Sequence, residues 1–265
     1  MPVTFRELLQ GLQRLGVEPG APVIFHASLK AFGEVRGGAD ALLGALLAVF
    51  PRLMAPTHTY QTMLIPEEGP ADNGITYGSG KDLNAMAVFF TPDLPADPLM
   101  GVLPERLRQH PQARRSSHPI LSFAGVGVDS ALQTQSLADP LAPLGALLAE
   151  DGWVLLLGVD HSVNTSIHYA EKLAGRRQFV RWALTPGGVA ECLGFPGCSL
   201  GFEQAAALLA PLTRETTIGS ARVRAVPLAE MIPALTGLIE HDPLALLCSD
   251  ADCERCSAVR GALQL

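Results

Sequence analysis

Phe5, Leu8, Leu9, Leu12 and Leu15 recur at helical spacing behind a Thr4 and Glu7 capping box, and Gly16 ends the run, so the chain opens with an amphipathic helix. Ala21 to Ser28 (APVIFHAS) has the continuous apolar character of a short buried strand. A Gly-containing loop follows over Phe32–Gly38, and helical periodicity returns over Ala39–Phe50. Strand-type runs recur at Leu53–His58, Leu121–Gly127 and Trp153–Asp160. Alternating strands and helices predict an α/β fold, a central mixed or parallel sheet with flanking helices. In the second half, Phe179–Leu184 and Val223–Leu228 read as strands, Pro186-Gly187-Gly188 as a turn and Phe202–Leu212 as a helix. The long connection Gln61–Ser117 is rich in Pro and Gly and holds one convincing helical stretch, Leu83–Phe90. Such a segment usually serves as a lid or pocket wall. The expected organisation is one domain over 1–265, with 61–117 as a pocket-forming insertion and 241–265 as a Cys-containing tail.

The 265 residues are 48% hydrophobic and 17% charged, which excludes global disorder. Nineteen Lys and Arg stand against 26 Asp and Glu, for a net charge of -7, and no basic run argues for a nucleic-acid partner. The longest apolar stretch, Ala41–Phe50, is closed by Pro51 and Arg52, far short of the ~20 residues a membrane helix needs. The opening MPVTFRELLQ lacks the pattern of a signal peptide. Five cysteines, with Cys248, Cys253 and Cys256 clustered late, suit a reducing, cytoplasmic compartment and a local metal or redox site.

Chemistry concentrates in a few segments. In LLLGVDHSVNTSIHYAE (Leu155–Glu171) an apolar strand enters a polar loop of Asp160, His161, Ser162 and Asn164. A helix then begins near Thr165 and carries His168 and Glu171 on one face. A carboxylate one turn from an imidazole can orient it and raise its basicity, which is a general-base arrangement. In VIFHASLKAFGEVRGG (Val23–Gly38), His26 and Ser28 end a strand, and Lys30, Arg36 and loop N–H groups offer a phosphate site. RRSSHP (Arg114–Pro119) combines guanidiniums, hydroxyls and His118, an anion-binding composition. Cys248, Cys253 and Cys256 form C-x4-C-x2-C, half of a zinc site, with Cys198 as fourth ligand and His241 or Cys192 as substitutes. His110 reads as solvated, and Trp153 and Trp182 as core.

Taken in order, HASLKAFGEVRGGADALLGAL, MAPTHTY, RRSSHP, LLLGVDHSVNTSIHYAE and GCSLGF resemble the aminoglycoside 3-N-acetyltransferase (antibiotic N-acetyltransferase) family, in a branch with a C-terminal Cys-rich tail. The resemblance implies direct acetyl transfer from acetyl-CoA to an amine of a 2-deoxystreptamine aminoglycoside, with His168 as base and Glu171 assisting. It implies that His26, Ser28, Leu29, Lys30, Gly33, Arg115 and Ser116 hold CoA, with Arg114 beside them. The acceptor, a small polycationic amine, is assigned Tyr60, Glu67, Asp72, His118, Asp160 and Asn164, with Glu68, Asp82 and Asp93 as further carboxylates. The tail implies a structural zinc held by Cys198, Cys248, Cys253 and Cys256, and the chain is expected as a monomer or homodimer. The chain departs from the family where Ser162 follows His161, with the acid Asp160 before it, and where His58 occupies the Thr57–Tyr60 turn. Two rivals stand beside this reading: a metal-dependent hydrolase built on His26, His58, His118 or His168, and a CoA- or amine-binding protein without turnover.

Overall fold

A computed structural model describes residues 1–263. In chain order it contains α1 (Phe5–Gln13), β1 (Val23–Ala27), α2 (Gly38–Val49), β2 (Leu53–Pro56), β3 (Met63–Leu64), α3 (Lys81–Met86), α4 (Val102–Arg108), β4 (Arg114–Arg115), β5 (Phe123–Val126) and α5 (Asp129–Gln133). There follow α6 (Ala142–Leu148), β6 (Trp153–Leu157), α7 (Ser166–Leu173), β7 (Phe179–Thr185), β8 (Gly188–Phe195), α8 (Ala206–Leu209), β9 (Arg214–Ile218), β10 (Ala221–Pro227), α9 (Leu228–His241) and α10 (Glu254–Ala262). The capping box forms as the sequence predicts: Glu7 N–H donates to Thr4 Oγ1 at 3.3 Å and Thr4 N–H to Glu7 Oε2 at 2.8 Å.

A seven-stranded sheet runs β4-β5-β2-β1-β6-β10-β9. Only its centre, β2-β1-β6, is parallel; β5, β4, β10 and β9 pair antiparallel, so the sheet is mixed. β1 and β6 are apolar nearly throughout because both their faces are covered. Alternation splits them between two cores: Val23, Phe25 and Leu155 pack with Leu8, Leu12 and Leu46 of α1 and α2, while Ile24, Val154 and Leu156 pack with Ile167 of α7 and Met231 of α9. Burying side chains of this size contributes about 2 kcal/mol each.

A second sheet, β3-β7-β8, joins two residues of the long insertion to the hairpin around Pro186-Gly187. The insertion is less bare than its composition suggests, since it also supplies α3, α4 and β4. The helix expected at Leu83–Phe90 is α3, Lys81–Met86, and stops earlier than predicted. Beyond it Val88 N–H donates to Gln61 O at 3.0 Å and Phe90 N–H to Leu184 O at 2.9 Å, so tertiary hydrogen bonds replace the helical ones. The helix expected at Phe202–Leu212 is broken into short turns around α8, with Pro211 removing a donor from its end. Among the described residues no helix is long and apolar enough to cross a membrane.

Candidate active site

The parallel strands deliver their chemistry at their carboxyl ends, the side on which open α/β sheets bind ligands. β1 carries His26. The chain continues past β2 through Thr57, His58 and Thr59, held to the neighbouring segment by Thr57 N–H to Ser122 O (2.9 Å) and Thr59 N–H to Ile120 O (2.8 Å). β6 exits through Gly158, at φ +69°, where an added Cβ would lie 2.3 Å from that of Ala31. Only glycine permits the loops after β1 and β6 to approach this closely.

α7 then presents the predicted pair. His168 Nδ1 lies 2.6 Å from Glu171 Oε2, and Glu171 is 1% exposed. Its other oxygen accepts from Arg176 at 2.7 Å, and Arg176 also donates to the carbonyls of Pro243 (2.9 Å) and Ala245 (2.7 Å). Burial alone would raise the Glu171 carboxyl, but the bond and charge of His168 and the charge of Arg176 outweigh it and hold the group below its ordinary value. The carboxylate therefore stays ionised against the imidazole. Phe202 meets the His168 ring edge-on, centroids 4.7 Å apart. Sequence reasoning misses Arg176 because it lies past the end of α7 and shares no helical period with Glu171.

Around this pair lie buried, neutral histidines. Burial, then the His161 charge, lowers His26 to about 3, and its Nε2 accepts from Thr165 N–H at 3.3 Å, which fixes the start of α7. Burial likewise takes His58 to about 3, with smaller effects from the charges of His118, His26, His168 and Arg115. His58 Nδ1 is 3.1 Å from the Tyr60 hydroxyl. His118, lowered to about 4 by burial, accepts at Nδ1 from Ile120 N–H (3.1 Å) and Leu121 N–H (2.9 Å). The Nε2 atoms of both His58 and His118 are buried without a partner among the described residues.

The other predicted residues divide. Ser28, Leu29, Lys30 and Gly33 line the turn directly after β1, Lys30 and Gly33 exposed and Gly33 at φ +77°. Arg115 has a different part from the one expected. Its guanidinium donates to Ser122 Oγ (3.1 Å), Thr57 O (2.8 Å), Pro92 O (3.1 Å) and Leu94 O, so it staples the insertion to β2 instead of presenting itself to a phosphate. Ser116 is buried and exchanges hydrogen bonds with Phe123. Asn164 is fully buried, its amide engaged by Ser166 N–H (3.1 Å) and His161 Nδ1 (3.3 Å), which makes it a support for the start of α7. Asp160 is exposed and caps the turn at Ser162. Glu67, Glu68, Asp72, Asp82 and Asp93 are all exposed, and no hydrogen bond or ion pair among the described residues joins them to the His168 pair.

The sulfurs of Cys198, Cys248, Cys253 and Cys256 all lie within 4.8 Å of one another. The distant GCS segment thus meets the tail, as the sequence predicts, and Cys192 sits apart, buried in β8. Among the described residues this is the one group of three or more ligand atoms close enough to share an ion.

Residues 24–240 match the family model described as Aminoglycoside 3-N-acetyltransferase. The aminoglycoside N(3)-acetyltransferase IX of Micromonospora chalcea is 36% identical over 187 residues, which cover 66% of this chain and 64% of that protein, so the match spans less than two thirds of the relative. The crystal structure of the aminoglycoside acetyltransferase AAC(3)-IVa apoenzyme superposes with a TM-score of 0.78 at 26% identity, covering 99% of this chain and 98% of the other. A histidine-to-alanine mutant of AAC(3)-IVa, in complex with a gentamicin, matches at the same TM-score, 0.78, with 27% identity and 98% of each chain covered.

Proposed function

The chain belongs to the aminoglycoside 3-N-acetyltransferase family, and from that premise we propose that it transfers the acetyl group of acetyl-CoA to an amino group of a 2-deoxystreptamine aminoglycoside. The observation that carries this reading is the buried His168–Glu171 contact of 2.6 Å at the carboxyl ends of the parallel strands. Nδ1 is committed to the carboxylate, which leaves Nε2 to take a proton from the attacking amine. The nitrogen lone pair attacks the thioester carbon, the C–S bond breaks, and CoA leaves as a thiolate that is then protonated. In sum, an ammonium and acetyl-CoA become an acetamide, free CoA and one proton. No covalent enzyme intermediate is needed, provided both substrates are held within attack distance.

The turn 28–33 takes the CoA side, with Lys30 and the loop N–H groups toward phosphate. Residues 61–117 form the acceptor wall, and their exposed carboxylates attract a polycation. Gentamicin in the AAC(3)-IVa complex supports that substrate class. The hydrolase rival loses ground because, among the described residues, the histidines do not gather as a ligand set.

The Cys198, Cys248, Cys253 and Cys256 cluster fits a structural zinc. Four thiolates are the donor set of a closed tetrahedral site, whose sulfurs stand about 3.8 Å apart at a Zn–S distance of ~2.3 Å. Zinc there would fasten the tail to the body and supply no open position for catalysis.

The test is acetyl-CoA-dependent thiol release with gentamicin and related aminoglycosides, comparing wild type with His168→Ala. The expected outcome is a loss of about 10²- to 10⁴-fold in kcat with CoA affinity retained. A folded variant with wild-type turnover would remove His168 as the base, and a wild type inert toward every aminoglycoside would overturn the substrate.

A further inference from the structure

The end of α7 is built to bring Arg176 back over Glu171. Gly175 turns the chain at φ +72°, its N–H donating to Lys172 O (3.1 Å), and Arg176 N–H donates to Glu171 O (2.9 Å), the two bonds of a glycine-closed helix end. Arg176 thus holds Glu171 twice, its backbone on the carbonyl and its Nη1 on Oε1 at 2.7 Å. Nη2 is spent on Pro243 O (2.9 Å) and Ala245 O (2.7 Å), which fixes the guanidinium from its far side. Of the three groups in this row the imidazole is the least buried: the side chain of His168 is 10% exposed, against 1% for Glu171 and 3% for Arg176. Arg176 can therefore act on the reaction only through Glu171.

Each oxygen of the carboxylate has one claimant, Arg176 at Oε1 and His168 Nδ1 at Oε2. An ionised carboxylate only accepts, so the neutral ring must keep its proton on Nδ1 and leave Nε2 with a lone pair. A protonated carboxyl can donate to Nδ1 instead, which moves the ring proton to Nε2 and removes the base. We propose that Arg176 is a positioning residue of the acetyl transfer: its fixed charge at Oε1 keeps Glu171 an acceptor, and so keeps the Nε2 lone pair of His168 free for the amine. This rests on the acetyl-transfer reading above. The other titratable groups on the surrounding elements are engaged elsewhere or exposed. Lys172 of α7 pairs with Asp139 (2.6 Å), Glu203 accepts from His161 N–H (2.7 Å) and His26 from Thr165 N–H. Arg255 of α10 donates to Gly197 O (3.0 Å), Cys198 belongs to the cysteine cluster, and Glu230, Glu240 and His241 of α9 are exposed. His58, at the end of β2, is neutral.

Arg176→Gln removes the charge but keeps amide donors, and Arg176→Lys restores a charge without the fork. The first readout needs neither substrate: nitrogen NMR of 15N-histidine-labelled protein, the His168 signals being those lost in His168→Ala. Where the wild-type ring is neutral, its proton is expected on Nδ1, and at the same pH Nε2 of Arg176→Gln is expected to carry a proton. The second readout is kcat/KM for thiol release with gentamicin as a function of pH. Removing a cation favours the protonated pair, so the acid limb of Arg176→Gln should lie about one pH unit higher. That is a loss of about 10-fold along the limb, recovered at higher pH where the carboxylate is again ionised. Arg176→Lys should regain the wild-type ring and limb while melting lower, because one ammonium cannot span Oε1 and both carbonyls.

A wild-type ring with its proton on Nε2 overturns the inference, and so does a folded Arg176→Gln with the wild-type ring and limb, in which case Arg176 only ties down the 243–245 segment. If Arg176→Gln does not fold, Arg176→Lys decides: a folded lysine variant with a displaced limb or a protonated Nε2 would mean that the packing of the fork, not its charge, holds the pair. A wild type that acetylates no aminoglycoside overturns the acetyl-transfer reading and the part of Arg176 in it. An active wild type whose limb ignores the charge at residue 176 sinks this inference alone.

Discussion

Burial holds His26 and His58 at about 3 and His118 and His161 at about 4, and each is at most 5% exposed. These folded-state values lie below the unfolded value of 6.5. The unfolded chain therefore binds more protons between pH 6.5 and about 4, and stability falls as pH drops through that window. The penalty is roughly 1.4 kcal/mol for each group one pH unit below the unfolded value. Glu171, lowered in the fold, acts in the same direction, since its contribution is lost on protonation. Thermal melts should show full stability above pH 7 and a drop on the order of 10 °C by pH 5.5. A flat Tm across that range would mean these rings are solvated. The His168–Glu171 pair is legible in the sequence because two residues three apart on a helix share a face. Arg115 is not, because composition reports that a guanidinium is present, whereas only the fold reports which carbonyls claim it.

Among elements, those with clean periods are legible. α1, α2, β1 and β6 are buried on one stripe or on both faces, so their apolar pattern mirrors their packing. β8 is half exposed with no regular alternation, β3 spans two residues, and α9 carries Pro233 in its interior, so none has the pattern that sequence reading relies on. Strand direction is also hidden, because pairing partners are set by tertiary contacts. At this scale Gly201 is decisive: a Cβ there would lie 2.3 Å from Leu246 O and 2.7 Å from Leu247 O, all rigid backbone. Gly201→Ala should push the 246–247 segment off the GCSLGF stretch and cost about 1–3 kcal/mol by denaturant melt. An unchanged midpoint would show that the tail has slack.

At the scale of the molecule the cysteines knit the tail to the body. Purified protein should carry zinc near one equivalent per chain by elemental analysis. Cys256→Ser should lose the metal and lower Tm, with the turn proposed for CoA left intact in the folded fraction. Metal-free protein with the Tm of the loaded form would reduce the cluster to buried thiols.

The anchor of Glu171 has a consequence for biosynthesis. Arg176 reaches the carbonyls of Pro243 and Ala245, so the His168–Glu171 pair sits more than sixty residues upstream of its own brace. A ribosome delivers β1, β2, β6 and α7 first, and the parallel centre can close while the remainder is still in the exit tunnel. The nascent chain at that moment has a folded sheet and a Glu171–Arg176 pair whose arginine is not yet anchored. A product cut before residue 243 should therefore be compact yet impaired in the proposed acetyl transfer, since Arg176 then lacks the two carbonyls that hold it.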